Sequence, residues 1–533
     1  MATMNPLTLP EIREALAPLL ATDDLARCLR VCKDWHASFL HFLWTSIDID
    51  TEHSQSKGPS HCLLQRHRSL VRHLAYQGKL SAEHEKMHFP ALTTLYLHDP
   101  HYDRGTRRSS IDIIPRHAFT LTRLKLHGTK RNGCWTFPAG LSRLTCLSLM
   151  DIYVIPRSME QIRGVFTQLE TLELVRSGLS AYSKSLKGDW KMKDLTLASV
   201  RGLNLDEELE LIRQCSFLKR LSWGSSQAFI RLPIGKFVQL VVANTWPELE
   251  ELHLRNVEVS DEHLSLILDG MRRVLRLSIS TCIEPSLQAS AAFRPHYAWL
   301  KELDISINPR HNAALVIDVL KSCPQLEILK SPIILVDSIM DDDPWACEGS
   351  LKVLEAFFWI PSVQRDEQQK VLLQRLSKLR KLERLDLSSV FQCQQSLDIS
   401  LEKGLGQLST LTRLRELAFR RTVQEMTMED AEWMIEHWKN LKVVDGVPSM
   451  RYAARTILVV EKFRESGIEQ VVDGKFTFSM TGATRRVSIS SSGVGSVLDE
   501  LSDVLACCIR SQHGHHFVVI LIYRLEESSL DTS

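Results

Sequence analysis

The residues whose types and spacing could do chemistry begin with a cysteine and histidine group near the C-terminus. Adjacent cysteines at 507–508 are followed by His513, His515 and His516, and thiolates and imidazoles are the ligands that zinc prefers. Their spacing matches no familiar structural zinc site. Three consecutive aspartates, 341–343, lack the other ligands of a calcium-binding loop. We therefore predict no metal and no cofactor.

Nothing in the sequence marks a catalytic centre. The chain has 12 cysteines and 20 histidines, but it lacks both a G-x-S-x-G nucleophile elbow and a glycine-rich phosphate loop. Arg485 and Arg486 precede Ser488 as in a basic-directed kinase site, a pattern that arises often by chance. We predict no catalytic residue and a non-enzymatic protein. The alternative is an enzyme whose polar residues meet only in the folded chain.

Size and charge favour a large soluble protein over a binder of polyanions. The 533 residues are enough for several domains or one long repeat array, and 65 basic residues balance 64 acidic ones, for a net charge of +1. General binders of nucleic acid or membrane surfaces usually carry a basic excess, so we predict neither partner. The most continuous apolar run, Phe517 to Tyr523, is too short for a membrane span, which needs roughly 20 residues.

The cysteines are scattered, without the spacing of a disulfide framework. Charged residues and a proline interrupt the apolar residues near the N-terminus, which argues against a secretory signal there. Both observations favour a reducing compartment, so we expect the protein in the cytoplasm, the nucleus or both.

One pattern, L-x-x-L-x-L with other apolar residues as occasional substitutes, recurs through most of the chain. Its first residues are Leu92, Leu121, Leu144, Leu169, Met192, Leu218, Leu249, Val274, Leu300, Leu326, Leu351, Leu382, Leu414 and Leu441. The mean interval of about 27 residues lies within the range of leucine-rich repeats. Ser331, Ala356 and Gly446 stand where three units should end in a large apolar residue. Residues 71–76 could be a degenerate first unit.

The alternation at the end of each unit predicts a half-buried strand whose leucines point into a stack of repeats. One unit cannot bury its leucines alone, so neighbouring units must stack. Between strands we expect helices, such as one capped by Ser260 and another from Ala314 to Leu320. The predicted fold is an α/β solenoid, a leucine-rich-repeat horseshoe with parallel strands on the concave side and helices on the convex side. An ordinary α/β domain with leucine-rich strands is the alternative.

The segment before the repeats predicts three short helices. Thr8 and Thr22 are the expected caps of the first two. The first helix would present Ile12, Leu16 and Leu19 or Leu20 on one face. The faces of the other two helices would be formed by Leu25, Cys28, Leu29 and Cys32, then by Trp35, Phe39, Phe42 and Leu43. A unit of about 40 residues is marginal alone, so exposed apolar residues on it would indicate a partner.

This segment resembles an F-box. The matching positions are Leu9-Pro10, Ile12, Leu16, Leu20, Asp24-Leu25, Val31-Cys32, Trp35 and Leu43-Trp44. An F-box followed by leucine-rich repeats is a known receptor architecture, and the chain is similar to fungal members of that family. The resemblance covers about 40 residues of F-box and roughly 380 residues of repeats.

The resemblance implies a substrate-recognition subunit of a Skp–cullin–F-box ubiquitin ligase. The helical segment would bind a Skp-type adaptor, and through it a cullin and a RING module. The expected adaptor contacts are Leu9, Pro10, Ile12, Leu16, Leu20, Leu25 and Val31, whereas Cys28, Cys32 and Trp35 are expected in the core. Two alternatives stay open. The helices could simply cap the repeat array, and the protein could be an interaction scaffold that assembles no ligase.

The substrate would be a protein bound to the outward charged residues of the strands. These are Arg123, Lys125, Glu170, Glu173, Lys219, Arg220, Glu250, Glu251, Lys301, Asp304, Arg384 and Asp386. Their alternating sign favours a folded protein over a polyanion. Solvated strand faces that bind nothing are the alternative at each position.

The expected organisation has five parts. Residues 1–48 form the F-box, 49–69 a linker and 70–447 about 14 leucine-rich repeats. Residues 448–470 form a capping helix, and 471–533 form a tail of unknown role that is partly flexible.

Overall fold

The computed structural model describes most of the chain up to residue 471 and two short segments beyond it. The described residues are 9–50, 59–78, 82–98, 113–128, 134–135, 140–154, 164–179, 188, 190–224, 233–282, 291–306, 313–340, 343–361, 365–389, 396–420, 422, 426–446, 453–471, 477–478 and 485–486. The chain divides into two compact units, Met1–Val472 and Asp473–Ser533. Of the second unit, the described residues are an antiparallel pair of short strands, Thr477–Phe478 and Arg485–Arg486.

The first unit is built on one long parallel sheet. Seventeen described strands form it, and the pairing runs from each strand to the next in chain order. They are β1 Ser46–Asp50, β2 His73–Gln77, β3 Thr94–His98, β4 Arg123–His127, β6 Cys146–Met150, β8 Thr171–Val175, β10 Asp194–Ala198, β11 Arg220–Gly224, β12 Glu251–Val259, β13 Arg276–Cys282, β14 Glu302–Asp304, β15 Ile328–Leu335, β16 Val353–Trp359, β17 Arg384–Asp386, β18 Glu416–Ala418, β19 Val443–Asp445 and β20 Glu469–Val471. Short strands β5 Cys134–Trp135, β7 Tyr153–Val154 and β9 Gly178–Leu179 form a second parallel sheet.

Helices occupy many of the connections between strands. The α-helices are α1 Pro10–Leu16, α2 Thr22–Cys28, α3 Lys33–Thr45, α4 His61–His67, α5 Ala82–Lys86, α6 Ile113–His117, α7 Leu205–Arg213, α8 Ile234–Val242, α9 Asp261–Gly270, α10 Ala313–Ser322, α11 Arg365–Leu376, α12 Met428–His437 and α13 Ala453–Glu465. Short 3₁₀ segments are Ala17–Leu19, Arg294–His296, Val336–Ile339, Ala346–Gly349 and Leu405–Thr410.

The repeat spacing dictates the stacking. Equivalent leucines lie side by side in neighbouring strands, as Leu95 does with Leu124, and they are buried in one core that runs from the first strand to Ile468. Threonines at the strand starts reinforce the register, because the hydroxyls of Thr122 and Thr145 donate to the preceding repeat at 3.2 and 3.3 Å. The fold class predicted from the repeats, a leucine-rich-repeat solenoid, is confirmed.

The structure adds strands that the pattern did not count. All fourteen predicted units contain a strand of the long sheet, and the suspected first unit contains β2. Strands β1 and β20 lie at the two ends of the long sheet, paired to β2 and β19. The sequence did not predict them.

The three irregular repeat endings have different physical reasons. Ser331 and Ala356 are buried at 4% and 3% exposure, so small residues fit there. Gly446 has a φ of +106°, and a Cβ on it would lie 2.6 Å from the amide nitrogen of Arg420. Only glycine adopts that conformation at such close approach to a neighbouring backbone.

Two predictions about helix caps had opposite outcomes. Ser260 caps α9, and its hydroxyl accepts from the amide of His263 at 3.2 Å. The prediction for Thr22 was wrong, because Ala21 is the N-cap of α2 and Thr22 is already helical. Thr8, the other predicted cap, lies outside the described residues.

Candidate functional site

The N-terminal helical segment, residues 9–45, has a small core of its own. Ala17, Leu25 and Phe39 are buried together, and the ring of Trp35 packs against Phe39 with centroids 5.4 Å apart. Cys28 packs against this cluster as expected. Three short helices thus meet around three buried apolar side chains, a core too small to stabilise much alone.

The first helix packs through the side opposite its predicted apolar face. The buried residues are Arg13 of α1 and Ala17 of the 3₁₀ segment that follows it, at 6% and 2% exposure. Leu9, Ile12, Leu16 and Leu19 follow one another at spacings of three or four residues, so they share a side of the helical segment. We call these four residues the apolar stripe.

The apolar stripe is partly open to solvent, most of all at Leu19. Leu9 is 39% exposed, Ile12 38% and Leu19 79%, whereas Leu16 is partly buried. Val31, at the turn after α2, is 61% exposed. Apolar side chains exposed together on a small helical unit are typical of a protein-binding surface.

The other predicted adaptor contacts are distributed between surface and core. Pro10 is exposed and Leu20 is partly buried against the small core. Leu25 is only 8% exposed and belongs to the core itself. Cys32, which we expected in the core, is exposed instead, because α3 begins at the next residue and the N-cap lies at the surface. The sequence offered Leu19 and Leu20 as alternatives, and the structure exposes Leu19.

The helical segment is joined to the solenoid through the end of α3. Trp44 belongs to the long core and its ring stacks on His67 with centroids 4.5 Å apart. Leu43 packs against both the small core and the long one. Strand β1 begins at the residue after α3 ends. These contacts fix the position of the segment on the first repeats.

Eight of the charged residues predicted to contact a substrate lie on strands, on the face opposite the buried leucines. They are Arg123, Lys125, Glu173, Arg220, Glu251, Asp304, Arg384 and Asp386. Their burial alternates with that of the leucines, so the pattern that buries one set directs the other set outward. Four others, Glu170, Lys219, Glu250 and Lys301, precede the strands and form a separate row.

Most of these strand charges are already paired within the sheet. Arg384 reaches Glu355 at 3.2 Å, Glu416 at 3.1 Å and Asp386 at 3.3 Å. The hydroxyl of Ser148 donates to Glu173 at 2.6 Å. The partner residues on adjacent strands were missed by sequence reasoning, because a pair across repeats has no short-range signal. These pairs make the face a network of both charges rather than a field of one sign.

Lys125 differs from the paired strand residues. It is exposed, and its ammonium lies 5.5 Å from the ring centroid of Tyr96 on the neighbouring strand. At an exposed site such a cation–π contact contributes roughly 0.5–1 kcal/mol. Arg123 is exposed on the same strand.

A cavity of about 540 Å³ lies where β10 and β11 end and α7 and α8 begin. Its lining includes Glu208, which is 4% exposed and accepts a hydrogen bond from the indole of Trp223 at 2.8 Å. Burial raises the pKa of Glu208 to about 7, although the bond from Trp223 acts in the opposite direction. At the rim, Lys236 pairs with Asp206 at 2.7 Å. Within the described lining, no hydroxyl donates to a carboxylate or histidine.

Two predictions of absence concern metal and membrane. In the described part of the chain, no group of three or more histidine, cysteine or acidic residues is arranged to hold a metal ion. The group at 507–516, Ser488 and the aspartates 341–342 lie outside the described residues. Across the described ranges, no helix is both long and apolar enough to cross a membrane.

Comparison with known proteins yields one distant relative among curated sequences. A probable F-box protein of Arabidopsis thaliana is 28% identical over 214 residues, which are 38% of this chain and 59% of that protein. The matched region thus spans little more than half of the relative's length. No protein-family model matches the chain.

Two solved structures match the chain at low similarity. An internalin from Listeria monocytogenes is 13% identical, with 88% of this chain and 99% of that chain covered and a TM-score of 0.25. The TLR13–ssRNA13 complex is 13% identical, with 71% and 63% covered and a TM-score of 0.30. Both TM-scores are low, so the fold assignment rests on the strand pairing itself. The repeat fold and the distant F-box relative together indicate a protein-interaction role.

Proposed function

We propose that the protein is the substrate-recognition subunit of a Skp–cullin–F-box ubiquitin ligase. The observation that carries this proposal is the apolar stripe of the N-terminal helical segment together with Val31. A distant relative that is itself a probable F-box protein supports it. The chain would contribute no chemistry, and its role would be to bring a substrate close to the ubiquitin-conjugating module, which raises the effective concentration of the substrate lysine.

The exposed side chains are suited to adaptor binding because they would become buried, and so contribute binding free energy, only in the complex. Fully burying an aliphatic side chain is worth about 1.5–3 kcal/mol. Leu19 and Val31, at 79% and 61% exposure, retain most of that gain. Leu25 is already buried, so its proposed role is to hold the helices in the geometry that presents the stripe.

The attachment of the helical segment suits a receptor that must hold two partners at a fixed distance. Trp44 and Leu43 anchor α3 in the long core, so adaptor and substrate would be held by one continuous body. We propose that the substrate binds the outward strand face, where Arg123 and Lys125 are exposed and form no ion pair with a carboxylate of the described residues.

Adaptor binding tests the proposal directly. The full chain is titrated against a purified Skp-type adaptor by calorimetry, with Ile12→Asp plus Val31→Asp as the test variant. Phe119→Asp plus Phe217→Asp is the matched control, because these apolar residues are also exposed, at 71% and 54%, but lie on the repeats. We expect wild type and control to bind and the test variant to lose binding with its helical content retained.

The competing function is a leucine-rich interaction scaffold that assembles no ligase. It predicts no adaptor binding by the wild type, and that result would overturn the ligase proposal. Equal loss of binding in both double variants would also count against the apolar stripe as the contact surface.

A further inference from the structure

Seven exposed cations gather at the edge of the sheet where β17, β18 and β19 begin. They lie in the turns just before these strands. The residues are Lys378, Arg380, Lys381, Arg413, Arg415, Lys439 and Lys442, and all are exposed. Glu383 is the acidic residue among these turns. We call this surface the basic edge.

The turns of the basic edge are bonded to one another, so the cations are held at the repeat spacing. The side-chain amide of Asn440 donates to the carbonyl of Thr412 at 2.8 Å, and the hydroxyl of Thr410 donates to the carbonyl of Ser377. The amide of Lys442 donates to the carbonyl of Arg415 at 2.8 Å. Neighbouring turns therefore succeed each other at about 4.8 Å, the separation of adjacent strands.

Most of this charge is not compensated. Arg415 reaches Glu383 at 3.6 Å and Lys378 reaches Glu348 at 3.8 Å, both at the long end of ion-pair distances. In the part of the chain that the structure describes, the remaining cations of the basic edge have no carboxylate within 4.0 Å. The whole chain has a net charge of only +1, so this excess is a local feature.

The basic edge has defined ends. On the side of β16 the corresponding positions carry Glu348 and a Lys352–Glu327 pair at 2.8 Å. On the side of β20, exposed Arg464 is followed by two exposed acidic residues, Glu465 and Glu469. The positive surface therefore spans three repeats and stops where acidic residues return.

Helix dipoles account for only part of this arrangement. Helix α11, the 3₁₀ segment Leu405–Thr410 and α12 all end at this edge, and a cation near a helix C-terminus is favourable. One cation per helix end would satisfy that preference. Seven cations on three turns exceed it, and an anionic partner would relieve their mutual repulsion.

We propose that the basic edge binds an acidic segment of a partner protein. An extended chain rises about 3.3 Å per residue and successive turns are about 4.8 Å apart, so about four consecutive residues span the three turns. A run of acidic residues would therefore place carboxylates along the whole basic edge. A single-stranded nucleic acid is less well suited, because its binding uses exposed aromatic side chains for base stacking. The aromatic residue of these turns, Trp438, is 1% exposed, and its indole donates to the carbonyl of Leu408.

Fluorescence anisotropy with a labelled octaglutamate peptide tests this proposal on the full chain. The test variant is Lys381→Glu plus Arg413→Glu plus Lys442→Glu. We expect the wild type to bind at low salt and the variant to bind about tenfold more weakly or worse, since each exposed ion pair is worth up to about 1 kcal/mol. Added salt should weaken the wild-type complex in the same way.

A matched control comes from the same edge of other repeats. Arg143→Glu plus Lys191→Glu plus Arg272→Glu changes the net charge equally, at exposed residues that are separated over three distant repeats. We expect its affinity for octaglutamate to stay within about twofold of wild type, because scattered charges act weakly at a distance. An equal loss in both triple variants, or no binding by the wild type, would overturn the proposal.

Two further measurements distinguish a specific loss of binding from misfolding and from nucleic-acid binding. If the charge-reversed variant loses its circular dichroism signal, the Lys381→Gln plus Arg413→Gln plus Lys442→Gln variant replaces it, with a smaller expected loss. A labelled oligothymidylate of the same charge is titrated in parallel, and tighter binding of that strand at this edge would overturn the assignment to a protein segment. The assay uses no adaptor, so its failure leaves the ligase proposal untouched.

Discussion

Replacing the buried carboxyl of Glu208 by an amide should stabilise its repeats, and the gain should grow with pH. Glu208 is 4% exposed and its Oε2 accepts from the indole of Trp223 at 2.8 Å. In Glu208→Gln the side chain keeps an oxygen acceptor for that bond and loses the charge. Burial has raised the pKa of Glu208 from 4.5 to about 7, so the folded chain holds this proton more tightly than the unfolded chain does.

The magnitude follows from the two pKa values. They differ by about 2.5, which at about 1.4 kcal/mol per pH unit corresponds to about 3 kcal/mol. Because the pKa is higher in the folded state, the stability from the protonated carboxyl is full below 4.5 and is lost as pH rises through about 7. The variant should therefore gain about 1 kcal/mol over wild type near about pH 5 and about 3 kcal/mol near about pH 8.

Native-state hydrogen exchange measures this locally, which suits a repeat protein that opens in parts. Amides of α7 and β11 in Glu208→Gln are compared with wild type at the same pH, so intrinsic exchange rates cancel. A gain of about 3 kcal/mol corresponds to roughly a hundredfold greater protection near about pH 8. Glu262→Gln, at an exposed residue of α9, serves as the control and should show no comparable change. An equal gain at both pH values, or a loss at the higher one, would refute the idea that the ionised carboxylate of Glu208 destabilises the folded repeats.

The remaining predictions concern binding, backbone and histidine. Leu19→Asp should weaken adaptor binding by about tenfold or more, because Leu19 is 79% exposed in the free chain and most of its burial would be gained on binding. The circular dichroism should stay unchanged. Leu25→Asp, at 8% exposure, should instead unfold the helical segment; the reverse pattern in calorimetry and dichroism would exclude the assigned roles. Gly446→Ala should cost more than about 2 kcal/mol of stability in denaturant melts, because a Cβ at φ +106° meets the backbone of Arg420, and a neutral result would contradict the close approach. Burial lowers the pKa of His117 to about 4, so the stability from the neutral imidazole is full above 6.5 and falls as pH drops towards 4. In His117→Phe the melting temperature should therefore depend less on pH between those two values. An unchanged pH dependence of the melting temperature would contradict this account.

The sequence by itself determined the solenoid. In the unit that begins at Leu121, the leucines at 124 and 126 alternate with Arg123 and Lys125, and that order decides which side chains are buried before any neighbour is known. Because the same order recurs at nearly constant spacing, the stacking partner of each strand is also determined. The apolar residues that suggest an F-box could be read in the same way, since they belong to one short run of sequence.

The tertiary structure alone decided which residues of that run are exposed. A short helix with apolar residues on one side and Arg13 with Ala17 on the other can pack either way, and the surfaces of α2 and α3 favoured burying Arg13 and Ala17. The turn cations of the basic edge are equally invisible in sequence, because Lys381, Arg413 and Lys442 are separated by about one repeat each. Periodicity is a local property of the chain, so it determines the repeating strands and their buried leucines. Which side of a single helix is buried, and which charges from separate turns come together, depends on surfaces that exist only after folding.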